Sequence, residues 1–310
     1  LLYILTTYLT VMTKIIESFH GVVAEILGDG LLVYWNTPDN IEDHAAKALA
    51  AALACQKALH TSLNEKFEQI LTHYNLHPLS IRIGIHTGKV LSGNIGSDQK
   101  LKFGCMGDAV NLASRLEGLC KLYGVEIICS EDTVRMLPTR ETFLLRELDL
   151  VRVKGKSQPT KLFHVVRQDK DVEAKSLLNV VRMDTTVQKS NDKGSFEKFA
   201  SMRKKLLRNK SKSQSSKSKS QQLARMVFFV QDEMVDDVYR RDIKAYESSL
   251  REFQEGNFEA AMKFINAIER LDTAALYLKR RIEAAADHKK NEMTLQEKWT
   301  GINNLLGKDF

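Results

Sequence analysis

An amide and a guanidinium four residues apart, Asn111 and Arg115, stand in the stretch Lys102-Phe-Gly-Cys-Met-Gly-Asp-Ala-Val-Asn-Leu-Ala-Ser-Arg-Leu-Glu117. The stretch reads as a strand, a turn at Gly107-Asp108, and a helix. Asp108 is expected to cap that helix, because its carboxylate can accept the free amide hydrogens of the first turn. Residues at i and i+4 share a helix face, so Asn111 and Arg115 project together. Val110, Leu112, Ala113 and Leu116 supply apolar contacts around them. Such a pair near a helix start suits a phosphate-bearing or sugar-bearing ligand. The same spacing also describes an ordinary surface polar pair. Asp29 is a second candidate. Gly28-Asp29-Gly30 between apolar runs is a hairpin signal. It exposes the Asp29 carboxylate at a turn, which the residue would also serve simply by shaping.

The elements that must position these groups lie in a chain of 310 residues, 43% hydrophobic, enough for one good core and extra material. Four cysteines, Cys55, Cys105, Cys120 and Cys129, form no CxxC pair and no metal spacing. That suits a reducing compartment and argues against a disulfide framework. No apolar run approaches the roughly 18 residues that a membrane span needs. The chain opens on Leu1 in mid-pattern, without a cap or a signal peptide, and is expected to be a fragment that begins inside a domain. The net charge of +7 is unevenly placed: Lys189 to Gln221 alone carries 11 Lys plus Arg against 2 Asp plus Glu, so the remainder is slightly acidic.

Leu1 to Phe19 reads as an amphipathic helix through Leu5, Tyr8, Leu9, Met12, Ile15 and Ile16. Val22 to Trp35 is the hairpin. Ile41 to about Phe67 is a long Ala-rich helix. Leu79 to Thr87 alternates as a half-buried strand, turns at Thr87-Gly88-Lys89, and returns as Val90 to Ile95. Val125 to Cys129 is a short buried strand, Ser130 caps a short helix, and Phe143–Val153 with Thr160–Val166 makes a final hairpin. Its connection is Lys154-Gly155-Lys156-Ser157-Gln158-Pro159. Irregular alternation with hairpins favours an α+β fold over a purely parallel sheet. No Gly-x-Gly-x-x-Gly opens a helix and no Walker A pattern is present.

The motifs Glu25-Ile-Leu-Gly-Asp-Gly30, Ile83-Gly-Ile-His-Thr-Gly88, Gly93-Asn-Ile-Gly96, Gly107-Asp-Ala-Val-Asn-Leu-Ala-Ser-Arg-Leu-Glu117 and Val153-Lys-Gly-Lys156 resemble the class III adenylate/guanylate cyclase catalytic domain, in that family's order and spacing. The resemblance covers about residues 1–166. It implies a ferredoxin-like nucleotide cyclase core, working as a head-to-tail dimer with sites at the interface. It implies conversion of a purine nucleoside triphosphate to a 3′,5′-cyclic monophosphate and pyrophosphate, a lyase reaction used in intracellular signalling. Two Mg²⁺ or Mn²⁺ ions per site would be the cofactors, and oxygen ligands suit such hard cations. Asp29 matches a metal-binding Asp. Arg115 matches the residue that stabilises charge on the α-phosphate, Asn111 the one that orients the ribose, and Lys154 the lysine that holds the triphosphate.

The family reads the purine with two side chains, at the positions of Glu25 and Gly104. Adenylyl cyclases commonly place Lys and then Asp or Thr there, guanylyl cyclases Glu and Cys. A Glu carboxylate accepts from guanine N1–H and the 2-amino group and meets the acceptor N1 of adenine badly, so GTP is expected over ATP. Gly104 offers no second reader. The family also carries a first metal Asp on a strand well upstream of the position of Asp29. The 28 residues that precede Asp29 here do not reach it, and this exact chain is expected to be inactive or nearly so. The alternative is a catalytically silent cyclase-like regulatory partner in a heterodimer.

Residues 167–222 read as a linker. Its Ser/Lys-rich tract is expected to be disordered, because it cannot bury enough apolar surface to fold. It is a solvated spacer or a contact for acidic membrane lipid; no aromatic platform accompanies the charge, which argues against nucleic acid. Residues 223–310 read as a small all-α region. Tyr246, Leu250, Phe253, Gly256, Phe258, Ala261 and Phe264 match a tetratricopeptide-like hairpin turning at Gly256-Asn257. A single hairpin is too little for a solenoid, so a small accessory bundle packing on the catalytic dimer is expected. The resemblance places such domains on the cytoplasmic side of proteins that are often membrane-anchored upstream.

Overall fold

The computed structural model describes residues 2–139, 142–153, 158–168, 237–291 and 299–305. The fold is mixed α+β. Helix α1 (Leu2–Ser18) buries Met12, Ile15 and Ile16 of the expected stripe together with Ile4, while Leu5, Tyr8 and Leu9 are half-buried. Strands β1 (Val22–Leu27) and β2 (Gly30–Tyr34) form a hairpin whose two-residue turn is Gly28-Asp29. Gly28 takes a φ of 68° there, which costs glycine nothing.

Helix α2 (His44–Ala58) passes through a π turn at Leu59–Leu63 into α3 (Asn64–His73). The helical run therefore extends beyond the Phe67 end expected from sequence. Phe67 is itself buried within α3, against α1. Strand β3 (Ile83–Ile85) is much shorter than the expected Leu79–Thr87. The cause is a pair of side-chain amides. Asn64 clasps Leu79, donating to its carbonyl at 2.9 Å and accepting from its N–H at 2.7 Å. Gln56 donates to the Ile81 carbonyl at 2.8 Å. Those backbone groups are satisfied before a neighbouring strand could take them.

Strand β4 (Leu91–Ser97) does not return along β3. It pairs antiparallel with β5 (Lys100–Met106), Leu91 opposite Met106 and Ser97 opposite Lys100. Gly96 makes this approach possible: its φ is 150°, and a Cβ there would lie 2.0 Å from the Lys100 carbonyl oxygen. Helix α4 (Asp108–Tyr123), strand β6 (Ile127–Ser130) and the short helix α5 (Glu131–Arg135) follow. The main sheet then closes with β7 (Phe143–Val153) and β8 (Thr160–Gln168). The Ser130 hydroxyl caps α5 by accepting from the Thr133 N–H, as expected.

A helix over residues 237–254, here α6, leads through Gly256-Asn257 into α7 (Phe258–Asn266), then α8 (Thr273–Asn291) and strand β9 (Asn303–Leu305). The main sheet runs β3-β6-β8-β7-β9, with β3 parallel to β6 and β9 parallel to β7. The β1–β2 and β4–β5 hairpins stand as separate two-stranded sheets. One buried cluster joins α4, β6, β7 and β8 to Tyr246, Leu250 and Phe253 of α6, Ile265 of α7, Leu278 of α8 and Leu305 of β9. The Ser/Lys-rich tract between Lys189 and Gln221 lies outside the described residues.

Candidate active site

Helix α4 carries the two central candidates. Leu112, Leu116, Leu119, Cys120 and Tyr123 bury one face of it, and Asn111 and Arg115 are exposed on the other. The spacing argument thus predicts the observed division of faces. The cap differs from expectation. Gly107, at a φ of 148°, is the N-cap, and Asp108 is the first helical residue with no side-chain cap bond. Its carboxylate still complements the positive end of the helix dipole. Strand β3 fixes α4 from below at Gly84, where a Cβ would lie 2.2 Å from the Ala113 carbonyl oxygen and 2.3 Å from the Glu117 nitrogen. Only a glycine lets the strand and the helix backbone approach this closely. A charged bond between Arg82 Nε and Glu117 Oε1 at 2.7 Å fastens the same crossing at the surface.

The candidate base readers lie across two hairpins. Glu25, on β1, accepts from Lys102 Nζ of β5 at 2.7 Å. Gly104 is buried on β5 opposite Gly93, and a Cβ there would meet Ile95 Cδ1 at 3.3 Å. Lys102 and Gly104 are two apart on one strand and share its face. The position beside Gly104 that lacks a side chain is therefore flanked by an ammonium. Sequence reasoning missed Lys102; its partner is 77 residues away, and no local pattern signals that pairing.

Asp29 is exposed at the β1–β2 turn and also lines a cleft of about 870 Å³. The cleft runs between β2 and the segment around β3, floored by the alanine-rich side of α2 and closed by α4. Tyr8 of α1 reaches into it. Burial first, then Cys55 and the Asp29 carboxylate, push the Tyr8 hydroxyl up to about 12. Both long walls are half-buried: Leu31 to Val33 on β2, Ile83 and Ile85 on β3. Their neighbours Ile127 and Ile128 on β6 are 1% and 0% exposed. Asn111 and Arg115 do not line this cleft. Lys154 lies outside the described residues.

Among the described residues no three His, Cys, Asp or Glu side chains gather as a metal site. Asp29 is a single carboxylate, and a pair of dications needs more oxygen ligands than it supplies. The residues described do not by themselves fit the two-ion site that the family resemblance implies. The cysteines offer no nucleophile either, since all four are buried and burial raises the Cys55 and Cys120 thiols to about 12. His86, in the Ile83–Gly88 motif, is a structural lock: its Nδ1 meets Ser130 Oγ at 2.7 Å and ties the end of β3 to the cap of α5.

The family model described as "Adenylate and Guanylate cyclase catalytic domain" matches residues 1–166. The chain belongs to that family. It is 36% identical over 162 residues to the adenylate cyclase of Anabaena cylindrica, an alignment covering 52% of this chain and 31% of that protein. It is 32% identical over 162 residues to adenylate cyclase 1 of Rhizobium meliloti, covering 52% of this chain and 23% of that protein. The chain therefore spans less than a third of the length of either relative. Among solved structures, the guanylyl cyclase Cya2 is similar at 30% identity with a TM-score of 0.49, covering 56% of this chain and 83% of that one.

Proposed function

We propose that this chain is the catalytic part of a purine nucleotide cyclase that converts GTP, in preference to ATP, into a 3′,5′-cyclic monophosphate and pyrophosphate. The observation that carries the reading is the α4 helix of a cyclase-family chain, with Asn111 and Arg115 exposed on one face and the opposite face locked into the core. In the reaction the ribose 3′-oxygen bonds to the α-phosphorus, the bond from that phosphorus to the β-phosphate bridge breaks, and the 3′-hydroxyl proton leaves to solvent. Arg115 would stabilise the charge that gathers on the α-phosphate oxygens, and Asn111 would orient the ribose. Glu25 would accept from guanine N1–H and the 2-amino group, which supports GTP over ATP. Lys154 would hold the triphosphate. Dimerisation would bring a partner's residues to each site. No step is routed through a metal, whose donor set the described residues do not complete.

The edges of β2 and β3 that face the 870 Å³ cleft pair with no strand among the described residues, and this supports a further part of the reading. An upstream strand between β2 and β3 would pair with both, bury Leu31, Val33, Ile83 and Ile85, and bring a second carboxylate toward Asp29. Without it this exact chain would be nearly inactive. The test is to extend the chain upstream by that strand and assay cyclic nucleotide formation from GTP or ATP with Mn²⁺, against an Arg115→Ala control. Turnover that depends on Arg115 and prefers GTP is the expected result. A folded dimer with no turnover on either nucleotide would sink the enzyme reading and favour a silent regulatory partner in a heterodimer, a role that the incomplete metal set also fits.

A further inference from the structure

The residues beyond 166 match no part of the family model, yet they contribute about half of the buried cluster behind α4. We propose that residues 237–291 and 299–305 are a built-in clamp on helix α4, and that Arg281 is the positioning residue that latches it.

Strand β7 has an irregularity in its pairing with β8 between Glu147 and Asp149. A bulge leaves backbone groups without ladder partners, and buried ones must find others. Helix α6 supplies them: the Tyr246 hydroxyl donates to the Leu148 carbonyl at 2.8 Å, and the Glu247 carboxylate accepts from the Glu147 N–H at 2.9 Å. Two consecutive helical side chains thus satisfy a defect in the catalytic sheet. The same irregularity turns Asp149 fully inward, at 0% exposure.

Asp149 is where four elements meet. Its Oδ2 accepts from the Tyr123 hydroxyl of α4 at 2.8 Å, from Arg281 of α8 at 2.5 Å and from Asn303 of β9 at 2.9 Å. Its Oδ1 accepts from the Leu150 N–H. Arg281 is held in turn over the rings of Phe253 and Tyr277. At the end of α4, Gly124 (φ 63°) leaves no room for a Cβ, which would lie 2.4 Å from Thr273 Cβ at the start of α8. Helix α4 therefore carries Asn111 and Arg115 on one face while its other face and its last turn are fixed by the helical layer. Undocking that layer would expose the apolar cluster it shares with α4 and take from Asp149 its guanidinium and amide partners, so docking and α4 order are one event.

The groups that face Asp149 are Tyr123 from α4, Tyr246 from α6, Arg281 from α8 and Asn303 from β9, which also bonds the Tyr277 hydroxyl. Burial pushes the Asp149 carboxyl up, and Arg281 is the largest influence drawing it back down. Removing Arg281 lets the folded-state value rise further above the ordinary value of about 3.9. A group raised in the folded state costs more stability as pH rises from that value toward the folded one.

The experiment uses this chain. Arg281→Met is expected to lower the Tm more at pH 8 than at pH 5, and to speed amide exchange in α4 and in residues 237–291 together. Arg281→Lys is expected to keep most of the wild-type behaviour, and the double variant Asp149→Asn/Arg281→Met to lose the pH dependence. A helical layer that opens while α4 stays protected overturns the proposal. So does a Tm loss of equal size at both pH values, or failure of both the single and the double variant to fold at any pH. The consequence for turnover rests on the cyclase reading: in the upstream-extended chain, Arg281→Met should lower kcat on the order of 10²-fold with KM little changed, as a displaced catalytic arginine does. Wild-type chain without turnover would count against the cyclase reading alone, because the exchange and Tm measurements do not depend on it.

Discussion

Arg115 and Asn111 show what a sequence can say about single residues. Their four-residue spacing fixes a common face, and the apolar positions around them fix which face is buried. Because Arg115 is exposed, Arg115→Ala should leave the fold intact and lower turnover by about 10²–10³-fold, the usual cost of removing a donor aimed at developing charge. An unchanged kcat in the upstream-extended chain would remove Arg115 from the chemistry. Glu25 is different, because its partner Lys102 comes from another hairpin. As an exposed pair it contributes about 0–1 kcal/mol to stability. In the GTP reading proposed above, a guanine edge would compete with Lys102 for the Glu25 carboxylate. Lys102→Met should therefore lower KM for GTP and leave KM for ATP unchanged. Steady-state kinetics on both nucleotides checks this, and a rise in KM for GTP would mean that Lys102 assists binding.

At the scale of elements, periodicity located α1, the β1–β2 hairpin and the β7–β8 hairpin to within two residues, and the start of α4. It failed where side chains compete with the ladder. Leu79 to Ile81 alternates like a strand, yet Asn64 and Gln56 occupy its backbone groups. The partner of β4 was also not legible, because both β3 and β5 have suitable patterns, and the close approach at Gly96 beside the Asp98-Gln99 turn favours β5. Gly84 is the tightest point of contact between the site-bearing helix and the sheet. Gly84→Ala must push α4 away from β3, since its Cβ would overlap backbone atoms rather than flexible side chains. Overpacking of this kind costs about 1–3 kcal/mol or more. Denaturant unfolding should show a lowered midpoint, and a change below about 0.5 kcal/mol would mean that the crossing is looser than the geometry requires.

For the whole molecule, a packed helical bundle is expected from sequence, but not the residues through which the helical layer and the sheet share one core. Asp149 gave a signal, a carboxylate among the alternating apolar residues of Phe143–Val153, but its partners Arg281 and Asn303 come from more than a hundred residues further along. A second ion pair across that junction joins Arg146 to Asp272, at 2.6 Å. Arg146 stacks over Tyr246 and stands opposite His164 in the β7–β8 register. His164 Nδ1 is buried without a partner among the described residues. Burial first and then the Arg146 guanidinium lower its pKa to about 3, with Asp272 opposing. The sign follows from linkage. Between about 6.5, the ordinary histidine value, and 3, the unfolded chain binds a proton at this site and the folded chain does not. Stability that is complete above pH 6.5 is therefore lost as pH falls, at a rate approaching about 1.4 kcal/mol per unit. His164→Leu removes both the titration and the unpaired nitrogen. It should flatten the fall in Tm between pH 6.5 and 4.5 relative to wild type while leaving the Tm at pH 8 equal or higher. Parallel curves for the two proteins would mean that His164 becomes charged in the folded state, and that the junction between sheet and helices admits water.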